Sequence, residues 1–172
     1  QQGRNRTMYL KKIRILSYRC IHDISVEFNK GVNILIGENN SGKSAVLDAL
    51  RVCLSYGKQK RDIWVSVSDF HLDKNNPNAE IEDIEFHLHF QIEDANETGI
   101  YNDFLSVDED EEQELQVHFK YSLENRNGAK KVRYSVWGGD NEGQSITPNV
   151  LELFYFIYLD ALRDAVQHLR PV

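Results

Sequence analysis

The fold of this chain is decided by the stretch VNILIGENNSGKSAVLDALRVCL, residues 32–54. Its first five residues are nearly all apolar and are bounded by glycines, a pattern typical of a central strand buried on both faces. After a polar segment, apolar residues recur at helical spacing. They are Val46, Leu47, Leu50, Cys53 and Leu54. The stretch therefore predicts a buried strand, a loop and an amphipathic helix in succession, which is an α/β arrangement.

The loop between strand and helix, residues 37–44, matches the pattern G-x-x-x-x-G-K-[ST] of a phosphate-binding P-loop. Backbone N–H groups of such a loop, together with the start of the helix, surround a phosphate. Lys43 is expected to reach the β- and γ-phosphates, and the Ser44 hydroxyl to ligate Mg²⁺. The residues expected to bind the nucleotide are Gly37, Asn39, Asn40, Ser41, Gly42, Lys43 and Ser44. The motif predicts a P-loop NTPase that takes ATP and Mg²⁺; the competing interpretation is a glycine- and asparagine-rich turn before a helix.

Alternating apolar and polar residues predict antiparallel strands on both sides of this stretch. A half-exposed antiparallel strand pair, with one polar face, is expected over residues 9–28. A β-rich portion at about 80–137 is expected to form a three-stranded meander, with Asn127-Gly128 as its hairpin turn. We also expect a short helix around residues 101–105, a strand at 153–159 and a helix at 161–169. The predicted fold class is thus an α/β P-loop lobe with an antiparallel β-meander subdomain.

Composition narrows the class of protein. The chain has 172 residues, 41% of them hydrophobic, and a net charge of −7, which suits one globular domain and argues against a surface that coats nucleic acid throughout. No run approaches the roughly 20 apolar residues of a membrane helix, so we expect no membrane partner and a cytoplasmic location. Met8 is the only methionine, and residues 1–7 are interpreted as a vector remnant preceding a native segment at 8–172.

Two segments together resemble a known family. They are LKKIRILSYRCIHDISVEF at residues 10–28 and GVNILIGENNSGKSAVLDALRV at 31–52, and they are similar to the N-terminal half of an ABC-type ATPase head of the SMC/RecF/OLD kind. Asn40 stands where transporter-type ABC proteins usually have Gly, and GENNSGKS most resembles the OLD family and its GajA-like anti-phage nucleases. The segment IYLDALRDA at 157–165 is similar to a stretch of the same family.

The resemblance implies the N-terminal part of a longer ATPase. In the family, a head built from two sequence halves is followed by a Toprim nuclease domain, the heads dimerise or assemble further, and DNA is the partner. The sequence contains no LSGG-like signature, no Walker B strand followed by Glu and no Toprim carboxylate cluster. The catalytic residue is therefore unassigned, and we expect this chain alone to hydrolyse ATP poorly or not at all.

Several single residues have two interpretations each. Arg19 is placed by the resemblance near the nucleotide, whereas a surface arginine would explain it as well. Asp160 ends an apolar run and is either a Mg²⁺ carboxylate or a helix cap. Gln144 is either a Q-loop glutamine or part of a polar loop. His87 and His89 share one strand face and are either metal ligands or part of the solvated side of the sheet.

Three functions follow. The first is Mg-ATP binding by a lobe that regulates or powers a DNA-cutting, OLD-like enzyme. The second is the head of a RecF- or SMC-like DNA repair ATPase without a nuclease. The third is a nucleotide-binding module that does not hydrolyse ATP and only gates assembly.

Overall fold

The computed structural model describes residues 8–31, 33–38, 42–58, 61, 63–73, 75–76, 79–92, 105–107, 113–148, 150–152 and 154. These residues form an antiparallel sheet and a twelve-residue helix. The elements are β1 (Met8–Tyr18), β2 (Ile21–Glu27), α1 (Lys43–Leu54), a 3₁₀ turn (Val67–Asp69), β3 (Ile84–Ile92), β4 (Leu105–Val107), β5 (Gln113–Arg126) and β6 (Ala129–Gly138). No helix in these ranges is long and apolar enough to span a membrane.

The strands lie in the order β2-β1-β3-β5-β4, and β6 also pairs with β5. Strand β5 has 14 residues, so β4 pairs with its start and β6 with the remainder. The strand pair and the meander expected from alternation are confirmed. The hairpin is confirmed as well, since Asn127 and Gly128 have φ angles of 54° and 80°, the left-handed pair that a type I′ turn needs. Pairing of β1 with β3, which the sequence did not indicate, joins both units into one sheet.

The hydrophobic core unites α1 with one face of the sheet. Alternate residues of β1, β3 and β5 are fully buried, as period-two alternation requires. They are Ile13, Ile15, Ile84, Phe86, Leu88, Phe90, Leu115, Val117 and Phe119. The helix contributes Ala45, Val46, Ala49, Val52, Cys53 and Leu54. Because the core holds α1 in place, it also fixes the position of the loop that enters the helix.

The buried central strand expected at residues 32–36 is not formed in residues 33–36, the part of it that the structure describes. Residues 33–38 have no regular secondary structure, and Ile34 and Ile36 are 78% and 91% exposed. A strand is stabilised by a ladder of hydrogen bonds to a neighbour. In the described ranges the strand pairings join β1 to β6 only, and none of them reaches residues 33–36. Without a neighbouring strand the run forms no ladder, so Ile34 and Ile36 stay exposed while Leu35 is partly buried against the core.

The strand expected at residues 153–159 is also contradicted where the structure describes it. Phe154, at the start of the expected strand 153–159, is helical, as are residues 148 and 150–152. Val150 and Phe154 are one helical turn apart and both are fully buried, and Phe154 stacks on Phe90 with ring centroids 5.6 Å apart. Short apolar runs do not distinguish a buried strand from a buried helix. The remainder of that strand and the expected helix at 161–169 lie outside the described residues.

The short helix expected around residues 101–105 is not seen at its last residue. Leu105 begins β4 and pairs with Leu115 at the edge of the sheet, so the polar excursion returns to the sheet as a strand. Residues 101–104 lie outside the described residues, as do residues 1–7.

Candidate nucleotide-binding site

The expected phosphate loop is described on both sides of Asn39, Asn40 and Ser41, which lie outside the described residues. Helix α1 begins at Lys43, directly after Gly42. No side chain caps this start, and the first turn contains no acidic residue. The first N–H groups of a helix have no partner within the helix and favour an anion. The start of α1 therefore keeps the donors that a phosphate would accept from.

The side chain of Lys43 runs back across the loop. Its Nζ atom donates hydrogen bonds to the carbonyl oxygens of Gly37 and Glu38. The ammonium group thus lies over the loop itself rather than extending into solvent. Ser44 follows on the first helical turn with its side chain exposed. Lys43 and Ser44 both fall within the described residues, and their contacts to phosphate and to Mg²⁺ stay predictions.

The turn between β1 and β2 packs against the same loop. Gly42 has φ +88°, a left-handed value that glycine adopts without strain. A Cβ atom at Gly42 would lie 3.6 Å from Cγ1 of Ile21 and 3.7 Å from Sγ of Cys20. The loop backbone therefore approaches this turn closely, and the turn carries Arg19.

Arg19 is held beside the loop by two carboxylates. Its Nε donates to Oδ1 of Asp69 at 2.7 Å, and one terminal nitrogen donates to Oδ2 of Asp48 at 2.6 Å. Burial lowers the pKa of Arg19, but the hydrogen bonds to both carboxylates outweigh it and leave the pKa above its ordinary value. Arg19 is therefore a partly buried arginine fixed by two carboxylates, and its contact with a nucleotide stays a prediction.

Sequence reasoning missed the two acidic partners. Asp48 is on α1, and Asp69 is fifty residues beyond Arg19. One local signal was available: Ser66 and Asp69 form a capping box, the S-x-x-[DE] pattern, at the 3₁₀ turn. Burial raises the pKa of the Asp69 carboxyl, but hydrogen bonds from Arg19 and Ser66 outweigh burial and hold the pKa below its ordinary 3.8.

The other candidates are not assembled around the loop by the described contacts. Gln144 lies in the turn after β6, where its backbone N–H donates to Asn141 and its carbonyl accepts from Gly138. Asp160 lies outside the described residues. Ser44 is thus the one predicted Mg²⁺ ligand that falls in the described part of the chain.

The face of β3 that carries the histidines is less exposed to solvent than the sequence predicts. The side chains of His87 and His89 are only 20% and 21% exposed. His87 contacts Glu85 and His118, and His89 contacts Glu114. Burial lowers the pKa of His118 to about 4 and also lowers that of His87. Across the described ranges no three His, Cys, Asp or Glu side chains converge as a metal cluster.

Comparison with known structures defines the class of this fold. It matches, at a TM-score of 0.50 and 18% identity, a solved structure described as the structural biochemistry of ATP-driven dimerization and DNA stimulated activation of SMC ATPases. The match covers 88% of this chain and 80% of that one. The fold of this chain is thus similar to the fold of that solved SMC ATPase structure. The chain belongs to the family described as "Protein of unknown function (DUF2813)", whose model matches residues 8–161.

Sequence relatives agree with this class over shorter stretches. The chain is 39% identical over 54 residues to the DNA double-strand break repair Rad50 ATPase of Pyrococcus abyssi. It is 35% identical over 54 residues to the DNA replication and repair protein RecF of Clostridium kluyveri. Each match covers 31% of this chain, but only 6% of the Rad50 ATPase and 15% of RecF. It is 32% identical to structural maintenance of chromosomes protein 6A of Arabidopsis thaliana over 97 residues, covering 56% of this chain and 9% of that protein.

Proposed function

We propose that this chain is the N-terminal lobe of an ATPase head and binds ATP with Mg²⁺ through residues 37–44. The observation that carries the proposal is the position of Lys43, whose ammonium lies over the loop beside an uncapped helix start. Both features fit the negative charge of nucleotide phosphates. Bound Mg²⁺ would neutralise charge on the phosphate oxygens, with the Ser44 hydroxyl as its ligand from this chain.

The proposed role of the head is in DNA processing. Support comes from the names of the relatives, which describe repair and replication proteins. The finer proposal is an OLD-like protein in which the head regulates or powers a DNA-cutting domain in anti-phage defence. Its support is the form GENNSGKS together with the segment at 157–165. In this proposal residues 8–172 are one part of a head that is completed by further sequence, and heads pair to close the site.

A second candidate is a RecF- or SMC-like repair ATPase without a nuclease. The stretches shared with Rad50 and RecF favour it as much as they favour the first candidate. A nuclease assay on the full-length protein, with and without ATP, separates the two. The OLD-like protein is supported if the full-length protein cleaves DNA and if replacing a carboxylate of its DNA-cutting domain abolishes the cleavage. ATP hydrolysis without cleavage supports the repair ATPase.

The variant Lys43→Ala tests nucleotide binding itself. Removing the lysine ammonium from the loop should abolish ATP binding, because it removes the positive charge that faces the phosphates. The thermal midpoint should stay unchanged, because the side chain is not in the core. ATP affinity and thermal midpoint are measured on the same preparations of the full-length protein. Lys30→Ala, an exposed lysine before the loop, is the control and should bind ATP like the unchanged protein. Undiminished affinity in Lys43→Ala would remove the loop from the proposal.

A further inference from the structure

An arginine and three aromatic rings form a cluster at the edge of the sheet, between β6 and the segment that follows α1. Three ring centroids surround the guanidinium carbon of Arg61: that of Tyr56 at 4.2 Å, that of Trp64 at 4.8 Å and that of Tyr134 at 5.9 Å. Within the ranges that the structure describes, Arg61 has neither an ion pair nor a hydrogen-bond acceptor. Aromatic faces attract a cation, so the rings hold the guanidinium while no described group uses its N–H donors.

Two of these rings are open to a ligand. Trp64 is 62% exposed and Tyr134 is 51% exposed. Together with Arg61 they line a cleft of about 140 Å³, whose lining also includes the buried side chains of Val52 and Tyr121. Exposed aromatic rings beside an apolar cleft accept another flat ring by stacking. The cleft therefore combines a stacking surface with a positive charge.

The hairpin next to this cleft is strongly basic. Strand β5 pairs with β3 only as far as Tyr121. Beyond it, residues 122–133 form a two-stranded ribbon in which β5 and β6 pair with each other alone in the described sheet. The ribbon has four basic residues and one acidic residue, Glu124, hence a net charge of +3, whereas the whole chain has −7. The basic residues are Arg126, Lys130, Lys131 and Arg133. Glu124 pairs with the two arginines, and the two lysines have no ion pair among the described residues.

We propose that this cleft and the basic ribbon bind single-stranded DNA, with a base stacked on Trp64 beside Tyr134 and a phosphate bound by Arg61. The inference rests on the proposed role in DNA processing and names the surface that contacts the DNA. Stacking on an exposed ring requires a base with a free face, which a single strand offers and the interior of a duplex does not. Positive charge along the ribbon attracts the phosphates that follow.

The chemistry of Arg61 suits a contact with a ring and with a phosphate at the same time. A guanidinium group is planar, and its N–H donors point outward in that plane. An arginine held on rings therefore keeps the donors that bind two oxygens of one phosphate. Alternation along β6 places Lys130 on the same side of the strand as Tyr134, roughly 13 Å away. Base stacking and phosphate contacts can thus come from neighbouring nucleotides of one strand.

The test is DNA binding by the 172-residue chain without ATP, measured by fluorescence anisotropy with a dye-labelled thymidine oligonucleotide and with a duplex of the same length. The single strand should bind more tightly than the duplex. Trp64→Ala should weaken binding at least about fivefold and leave its salt dependence unchanged, because only stacking is removed. Arg61→Gln should weaken binding by a similar factor and lower the slope of log K against log salt by about 0.7, because one phosphate contact is lost. Arg14→Gln, the same charge change on the outer face of β1, should stay within twofold of the unchanged chain.

Tryptophan fluorescence reports the stacking directly. The chain has two tryptophans, so Trp64 is the only one left in Trp137→Phe. Its fluorescence should fall when the single strand is added. Trp64→Phe keeps an aromatic ring and should bind the single strand more tightly than Trp64→Ala. Circular dichroism checks the folding of each variant.

Four results would overturn the proposal. They are no binding of the single strand by the unchanged chain, equal binding of the duplex, equal binding by Trp64→Ala, and an equal loss in Arg14→Gln. A cleft that receives a protein segment instead of DNA would give the first result. Because no ATP is present, these outcomes bear on this surface alone. The ATP affinity of Lys43→Ala and the nuclease assay test the proposed function separately.

Discussion

Arg19 connects three separate parts of the chain through one side chain. It belongs to the β1–β2 turn, has a left-handed φ of 54°, and donates to carboxylates on α1 and on the 3₁₀ turn. Its own backbone N–H donates to the carbonyl of Asp69 at 2.6 Å. The strained turn is therefore held by contacts from both flanking segments. Because this turn lies beside Gly42, the network fixes the backbone next to the start of α1.

Replacing Asp69 by Asn should test this network. The substitution keeps the shape but removes the charge that Arg19 and Ser66 bond to, and we expect a loss of about 2 kcal/mol in the free energy of unfolding. The folded-state pKa of Asp69 is below 3.8, so its contribution is present above that pH and disappears as the pH falls through the lower folded value. Urea unfolding between pH 7 and pH 3 measures both effects: the gap between the two proteins should narrow in acid.

The control is an exposed arginine–aspartate pair between β1 and β2. Arg14 and Asp23 form two hydrogen bonds, at 3.1 and 2.8 Å, but their side chains are about half exposed. Exposed ion pairs contribute little to stability, so Asp23→Asn should leave unfolding nearly unchanged at neutral pH. An equal loss in both variants would mean that burial of the Arg19 network has no energetic consequence.

The strand β3 separates an apolar core face from a polar outer face, and Phe86 tests the first. Phe86 is fully buried and contacts Tyr18 and Tyr121 edge to face. Phe86→Ala should lower the free energy of unfolding by about 3–5 kcal/mol, because it removes buried area and leaves a cavity. Ile24→Ala, on edge strand β2 with 38% exposure, is the matched apolar control and should cost clearly less. Equal costs in chemical denaturation would show that the register of β3 is different.

At the level of elements, the sequence was informative wherever the pattern is local. Alternation is sufficient to predict β3, β5 and β6, and helical spacing with a glycine before it is sufficient for α1. The misassigned segment at 33–36 shows the limit, since burial depends on a neighbouring strand and not on the run itself. The same limit applies to side-chain contacts. The loop residues are contiguous, so the sequence alone could predict them. The Arg19 network and the contact of His87 with His118 depend on strand register and on packing between distant segments, so the sequence alone could not.

At the scale of the whole molecule, the proposed phosphate site has no group assigned to position the attacking water among the residues that the structure describes. A complete site of this class needs electrostatic support that develops in the transition state. We therefore expect steady-state phosphate release by residues 8–172 to be at or near the level of Lys43→Ala, and the full-length protein to be clearly faster. Comparable turnover by both would mean that a carboxylate such as Asp160 completes the site, and the half-head proposal would give way to a self-contained NTPase.

The exposed isoleucines at 34 and 36 have a consequence for energetic coupling. They immediately precede Gly37, so any surface that covers them also restricts the chain where it enters the phosphate loop. In the proposed site, a bound nucleotide would restrict the same loop at the end that enters α1. Two binding events that order one segment share the entropy of ordering it, and each then strengthens the other by the same factor. In the proposed ATP site, the nucleotide and a surface that covers Ile34 and Ile36 would thus be reciprocal effectors.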